Sequence, residues 1–185
     1  MPPKQRITRE MILERSFEMF CRDGMEAVNA RSVAKALNCS TQPIFSYYAG
    51  MDDLKNALEN KAKETFEAVI AGVPAEGEPL VNICTAYVTF AAEQPCLFKY
   101  LFIRSKEGPA YHFMTQEEVA ALIQKEADYT QLSAEKAEDA MCHMCIYTHG
   151  YASMLAGGQM QDPMEKISVR IAAAHRYLLA ALNRE

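Results

Sequence analysis

The stretch from Asn29 to Tyr48 constrains the fold of this chain more than any other part. Its apolar residues recur at the spacing of two short helices. Asn38 lies between them and is a residue that adopts the left-handed conformation at low cost. Asn29 is suited to cap the first helix, because its side-chain oxygen can accept a free N–H of the opening turn. Ser40 is suited to cap a second helix that runs to Tyr47. The pattern predicts two short helices joined by a tight turn.

The second helix of this pair has the composition of a surface that contacts DNA. Pro43 lies in its first turn, where a missing N–H loses no hydrogen bond, so we expect Ser40 to accept the N–H of Gln42. Helix-turn-helix proteins place such a second helix in the major groove. Hydroxyl and amide side chains can contact base edges and phosphates there. A helical hairpin with a purely structural role is the alternative.

Residues 7–58 as a whole resemble the N-terminal domain of the tetracycline-repressor (TetR) family of bacterial regulators. The resemblance rests on a first helix that ends in Phe20, Cys21 and Gly24, on Ala30–Leu37, on Ser40 with Ile44–Tyr48, and on Asp52–Leu54. Asn38 stands where the family usually has glycine, Phe45 where it has tyrosine, and Met51 where it has lysine. The resemblance implies a homodimeric repressor that binds a palindromic operator and is released by a small apolar or aromatic effector.

The helix pair and the resemblance together predict the residues that contact DNA. They are Lys4, Arg6, Asn29, Arg31, Ser32, Ser40, Thr41, Gln42, Pro43, Ser46, Tyr47 and Lys55. Lys4 and Arg6 belong to a basic N-terminal arm, for which a disordered tail without function is the alternative. Residues 1–48 have a net charge of +2 and the remainder −7, in a chain whose total is −5. This distribution favours contact with nucleic acid at one end only.

The rest of the chain also has helical periodicity, so the predicted fold class is all-α, with about nine helices. We expect a three-helix DNA-binding domain over residues 1–50 and a helical effector-binding and dimerisation domain over residues 51–185. One helix is predicted over 110–128. Further helix ends are indicated by the capping residues Thr8, Gly24, Asp52, Ser133 and Asp162.

Composition limits the cellular location and the chemistry. No run of 18 apolar residues occurs, and the N-terminus lacks the apolar core of a signal peptide. Six cysteines without a secretion signal indicate reduced thiols. We therefore expect a cytoplasmic protein that is not bound to a membrane. Because no nucleophile has an evident orienting group or oxyanion hole, we do not expect an enzyme.

The aromatic and methionine side chains of the second domain are predicted to line an effector cavity with a few polar groups. They are Phe90, Phe98, Phe102, Phe113, Tyr147, His149, Tyr151 and Met154. Each of them taken alone is as consistent with an ordinary core. His149-Gly150 and Gln94-Pro95 resemble a TetR subset marked by Trp, His and Gly, although Cys145 stands at the tryptophan position. For His149, a histidine hydrogen-bonded within the bundle is the alternative to ligand contact.

Two other functions remain open at this stage. Cys142, Cys145 and His149 fall on one helix face, so a metal- or thiol-redox-responsive regulator of the same fold is possible. Because a structural zinc site needs four ligands and no second pair is found, we predict no metal and no cofactor. The other alternative is an all-α binding module or enzyme that does not act on DNA.

Dimerisation is predicted for the last two helices, packed as a four-helix bundle with those of a second copy. The residues assigned to this interface are Ile167, Ile171, Ala174, Leu178 and Ala181. They follow helical spacing, and the alanines would let the two copies approach closely. Part of the stripe must pack on the chain's own body.

Overall fold

The computed structural model describes residues 7–103, 121 and 132–182. These residues form eight α-helices and no strand, which confirms the all-α fold class. The chain divides into two compact units, Met1–Thr65 and Phe66–Glu185. The division falls within one long helix. The domain boundary at residue 50 divides the chain by function and stays a prediction.

The first unit contains three short or medium helices and the start of the long one. The helices are α1 (Arg9–Asp23), α2 (Ala30–Ala36), α3 (Gln42–Tyr47) and α4 (Met51–Ala71), with a 3₁₀ turn at Met25–Ala27. Their inward faces form one core whose fully buried members include Ile12, Phe20, Val33, Ile44, Leu54 and Leu58. This core holds α2 and α3 in a fixed relation, as the helix pair requires.

The second unit is a bundle in which α5 packs on the last two helices. Its elements are the end of α4, α5 (Pro79–Glu93), α6 (Pro95–Phe98), a π-helical turn (Lys99–Ile103), α7 (Ala134–Ala156) and α8 (Met164–Leu182). The pairs α5–α7, α5–α8 and α7–α8 are in contact. Apart from residue 121, the helix predicted over 110–128 lies outside the described residues. Within the described ranges, no helix is both long enough and apolar enough to cross a membrane.

Several predicted helix ends are confirmed. The hydroxyl of Thr8 accepts the N–H of Met11 at 3.2 Å, and α1 ends at Gly24, whose φ is 85°. The hydroxyl of Ser133 accepts the N–H of Lys136 at 3.3 Å at the start of α7. These caps depend only on neighbours in sequence, which is why the pattern is sufficient to find them.

Two predicted caps are wrong. The residue before α3 is Thr41, and no side chain caps this helix. The backbone of Thr41 is already helical, with φ −73° and ψ −15°, whereas a capping residue is normally extended, so Ser40 is not the cap. Asp52 lies inside α4, and it is the carboxylate of Asp53 that accepts the N–H of Ala49, at 3.0 Å.

Asp162 is also engaged differently from the prediction of a cap for the last helix. Its side chain is only 6% exposed and accepts hydrogen bonds from the phenol of Tyr151 at 2.9 Å and from Nε of Arg170 at 2.5 Å. The guanidinium of Arg170 holds the pKa of Asp162 below its usual range. The pair with Arg170 is charge-assisted on both sides, and through it and the Tyr151 bond the carboxylate joins α7 to α8.

Asn38 is the one non-glycine residue with a positive φ in the described part of the chain, at 51°. Its N–H donates to the carbonyl of Lys35 at 3.1 Å, and the next N–H, of Cys39, donates to the carbonyl of Ala34 at 3.0 Å, which ends α2.

The left-handed backbone of Asn38 makes a prediction for stability. Asn38→Ala should lower the free energy of unfolding by about 1–2 kcal/mol, because the methyl group of alanine cannot form the local hydrogen bonds that make this conformation less costly for asparagine. Asn38→Gly should unfold at the same urea concentration as the native chain or a higher one. Equal urea midpoints for the alanine and glycine variants would contradict this account.

Candidate nucleic-acid interface and a hollow in the second unit

The start of α2 is fixed by a reciprocal pair of hydrogen bonds between Asn29 and Ser32. The N–H of Ser32 donates to Oδ1 of Asn29 at 3.0 Å, and the N–H of Asn29 donates to Oγ of Ser32 at 3.1 Å. The predicted cap at Asn29 is confirmed in this form. The hydroxyl of Ser32 also donates to the carbonyl of Ala27 at 2.7 Å, so its hydrogen is used within the chain. Both residues remain predicted DNA contacts.

Helix α3 is held on the unit by the buried side chains of Ile44 and of Tyr48, which directly follows the helix, and most of its other side chains are exposed. The exposed residues of α3 are Gln42, Phe45, Ser46 and Tyr47, while Pro43 is half-buried. The hydroxyl of Ser46 donates to the carbonyl of Gln42 at 2.9 Å, and the phenol of Tyr47 donates to the carbonyl of Ile7 at 3.3 Å. Sequence reasoning did not assign Phe45 to this surface, although its position three residues after Gln42 places the two on one face.

The predicted polar contacts of the turn and of α3 share one concave face. An open hollow of about 770 Å³ lies against them, and its lining includes Ser40, Gln42, Ser46 and Tyr47. Thr41, half-buried, is not part of this lining. With Pro43, which also lines it, the hollow is bordered by five of the residues assigned to DNA from sequence.

Charge on this unit is positive where the helix pair is exposed. Arg31 and Lys35 are exposed on α2, and the sequence from residue 27 to residue 51 contains no acidic residue. Lys55, on α4, is half-buried. Lys4 and Arg6 lie outside the described residues. The arrangement offers cations to phosphates beside the exposed face of α3.

The second unit contains a buried cluster of five aromatic side chains. Phe90, Phe98 and Phe102, predicted to line a cavity, pack with Phe66 and Tyr87 at ring-centroid distances of 5.0–5.9 Å. All five are buried. Most of these pairs meet edge to face, which is a favourable geometry for aromatic rings. The cluster is a packed core more than an open cavity.

Tyr87 and Phe66 were missed at the sequence level, although a signal for Tyr87 exists. Tyr87 follows Cys84 by three residues and precedes Val88 on the buried face of α5, so helical spacing alone places it inward. Phe66 stands near the end of the long helix α4, where the pattern does not show which neighbour it meets.

A separate open hollow of about 550 Å³ lies at one side of this cluster. Its lining combines the π-helical turn with the end of α7 and consists of Lys99, Phe102, Ile103, His149, Ser153, Met154, Gly157 and Gln159. Three of the eight predicted effector contacts line it, namely Phe102, His149 and Met154. Tyr147 and Tyr151 do not, and Phe113 lies outside the described residues. Short π-helical turns inside α-helices are frequent at functional sites.

His149 joins this hollow to the aromatic cluster. Its Nδ1 lies 2.9 Å from the phenol oxygen of Tyr87. Burial raises the pKa of Tyr87 and lowers the pKa of His149, so both groups are neutral at pH 7. The tautomer of the imidazole sets the direction of this hydrogen bond: with the phenol as the donor, Nδ1 accepts and the imidazole carries its own hydrogen on Nε2. In that tautomer the hollow is lined by a histidine that can donate one hydrogen bond.

The Tyr87–His149 contact makes a prediction for the titration of the histidine. The pKa of His149 should lie below the ordinary value of about 6.5, and Tyr87→Phe should raise it, because the lost phenol bonds only the neutral imidazole. The unfolded chain then binds more protons than the folded one below that ordinary value, so stability should fall as the pH falls through this window. Titration of the histidine NMR signals, assigned with His149→Gln, measures the shift. A pKa unchanged by Tyr87→Phe would contradict the proposed direction of the hydrogen bond.

The metal site considered for α7 has no set of ligands among the described residues. In the part of the chain that the structure describes, no group of three or more His, Cys, Asp or Glu side chains could hold a metal ion. Cys142 is exposed and Cys145 half-buried, and the Nδ1 of His149 is engaged by Tyr87. The described residues therefore give no support to the metal alternative at these three positions, and it stays untested. Burial also raises the pKa of the Cys145 thiol, which leaves less of the reactive thiolate.

The last two helices carry most of the exposed large apolar side chains of the described chain. These are Ile146, Tyr147 and Met154 on α7, and Met164, Val169 and Tyr177 on α8. Ile167 and Ile171, assigned to a dimer interface, are fully buried within their own chain, so they are unavailable to a partner. Ala174 and Leu178 are half-buried, and Ala181 is exposed. The buried stripe of α8 also includes His175 and Leu179, which the prediction missed.

Known proteins similar to this chain include transcriptional regulators of one family. Residues 80–181 match the family model "Tetracyclin repressor-like, C-terminal domain". The crystal structure of a TetR-like transcriptional regulator from Rhodococcus sp. RHA1 is similar, with a TM-score of 0.62 at 17% identity over 95% of this chain and 99% of that one. That of a putative TetR-family transcriptional regulator from Rhodococcus sp. has a TM-score of 0.58 at 12% identity, over 92% and 98%. No curated protein matches the chain.

Proposed function

Because this chain belongs to the tetracycline-repressor family of transcriptional regulators, we propose that it is a homodimeric repressor, released from a palindromic operator by a small effector. The observation that carries this proposal is the exposed face of α3 beside Arg31 and Lys35. Residues 1–50 would bind DNA, and residues 51–185 would bind the effector and the second copy. The resemblance to the Trp-His-Gly subset stays a prediction.

Twofold symmetry follows from the small size of the recognition element. Helix α3 has six residues and can contact too few base pairs to specify one site in a genome. Two copies with their recognition helices one turn of DNA apart, about 34–36 Å, would contact a sufficient site. Exposed apolar side chains of α7 and α8, among them Ile146, Val169 and Tyr177, supply a surface for the second copy, because exposed apolar patches often mark interfaces.

The hollow beside the π-helical turn is the proposed effector site. Phe102, Ile103 and Met154 supply apolar walls, and His149 supplies a hydrogen-bond donor at Nε2. Lys99 adds a cation at the rim. An effector with a mostly apolar body and one hydrogen-bond acceptor matches this lining.

Selection of bound duplexes from a random DNA pool tests the function directly. We expect one enriched motif with twofold symmetry, with two half-sites about one helical turn apart. A motif without symmetry would contradict the dimer. A chain that retains no duplex even at low salt, where phosphate contacts are strongest, would instead favour the binding module or enzyme that does not act on DNA.

Gln42→Ala should relax base preference at one position of each half-site, with a loss of discrimination of about 1–3 kcal/mol. The exposed amide of Gln42 is in the first turn of α3, where it can form paired hydrogen bonds with an adenine. Asn60→Ala, which removes an exposed amide from α4, is the matched control and should leave the preference unchanged. Competition binding with single-base operator variants measures both. An equal loss of affinity on every sequence would mean that Gln42 contacts phosphate only.

A further inference from the structure

Phe45 is an unusual side chain to expose on a helix that faces DNA. Its side chain is 51% exposed, while its neighbour Ile44 is fully buried under the same short helix. A phenyl ring has no polar atom, so water does not compensate its exposure as it does for Gln42 or Ser46. The ring is therefore available to pack against an apolar group from outside the first unit's core.

Hydrogen bonds within the chain limit which side chains of α3 are available to contact DNA bases. The hydroxyl hydrogen of Ser46 is used on the carbonyl of Gln42, and that of Tyr47 on the carbonyl of Ile7. Both hydrogen bonds hold the helix and its approach segment in place. Gln42 and Phe45 are three residues apart on one exposed face, and their side chains make no such internal bond.

We propose that Phe45 contacts the 5-methyl group of a thymine in each operator half-site, next to the base contacted by Gln42. Thymine is the one standard base with an apolar group at the edge of the major groove, and phenylalanine is among the side chains that pack on it. The ring lacks the hydroxyl that would bond a phosphate, so its contribution is base-specific. The inference rests on the proposed function and adds a specificity-determining residue to it.

The test uses the full chain and the operator obtained by selection. Each thymine is replaced in turn by deoxyuridine, which removes only the methyl group, and binding is measured by fluorescence anisotropy at one fixed salt concentration. At one thymine per half-site, the native chain should bind about threefold to fivefold more weakly after the replacement, as expected for the loss of one buried methyl contact. Phe45→Ala should bind the thymine and uracil operators equally at that position.

Two control variants test whether the preference for thymine depends on the ring of Phe45. Phe45→Tyr retains the ring and should retain the preference for thymine. Val69→Ala removes an exposed apolar side chain from α4, outside the helix pair, and should also retain it. Native binding that is indifferent to uracil at every position would overturn the inference, as would a preference that survives in Phe45→Ala. In either case the duplex is still bound, so the proposed function stands; a chain that selects no duplex would mean that the proposed function itself has failed.

Discussion

A Val169→Glu variant is expected to be a folded monomer with operator affinity about a hundredfold or more below that of the native chain. Val169 is 63% exposed on α8, so a glutamate there is hydrated in the isolated chain and should not disturb the bundle. In the proposed dimer the same position is covered by the second copy. A carboxylate buried without a partner costs about 3–5 kcal/mol, and twofold symmetry introduces two of them.

Val69→Glu is the matched control for this change. Val69 is 37% exposed and receives the same substitution on α4, a helix that is not part of the proposed interface. Sedimentation should give a dimer for the control and a monomer for Val169→Glu, with equal helical circular dichroism. A Val169→Glu dimer with native operator affinity would place the interface elsewhere, for example around Ala181, which is also exposed.

The second large effect is expected at Phe98, a member of the aromatic cluster. Phe98 is fully buried, and its ring centroid lies 5.3 Å from that of Tyr87 and 5.2 Å from that of Phe102. Phe98→Ala should lower the free energy of unfolding by about 3–5 kcal/mol, because it leaves a cavity in a packed core. Phe98→Leu keeps most of the volume and should cost about 1 kcal/mol, mainly for the lost ring contacts.

Urea unfolding of both variants distinguishes a core from a binding cavity. If Phe98 lined an adaptable effector site, as the sequence suggested, Phe98→Ala would cost little stability and would mainly change effector affinity. A loss below 1 kcal/mol would therefore contradict the packed cluster. Met154→Ala is the comparison variant, because Met154 lines the proposed effector hollow and is exposed. This variant should have nearly the same free energy of unfolding as the native chain but a changed effector affinity.

The sequence by itself determined the features that depend on residues close together in the chain. The caps at Thr8, Asn29 and Ser133, the end of α1 at Gly24 and the left-handed Asn38 are all local in this sense. Each is fixed by hydrogen bonds or backbone angles over a few residues, so a pattern of residue types is enough to find it. The same local patterns predicted the all-α class and the resemblance to the family.

Only the tertiary structure decided which side chains pack inward and which polar groups form hydrogen bonds with each other. Helical spacing gave α8 an apolar stripe, but only packing against α5 and α7 showed that Ile167 and Ile171 face inward while Val169 faces outward. Asp162 had the position of a cap, yet the nearby phenol and guanidinium compete successfully for its oxygens. These outcomes depend on contacts between residues distant in sequence, whose energies a local pattern does not contain.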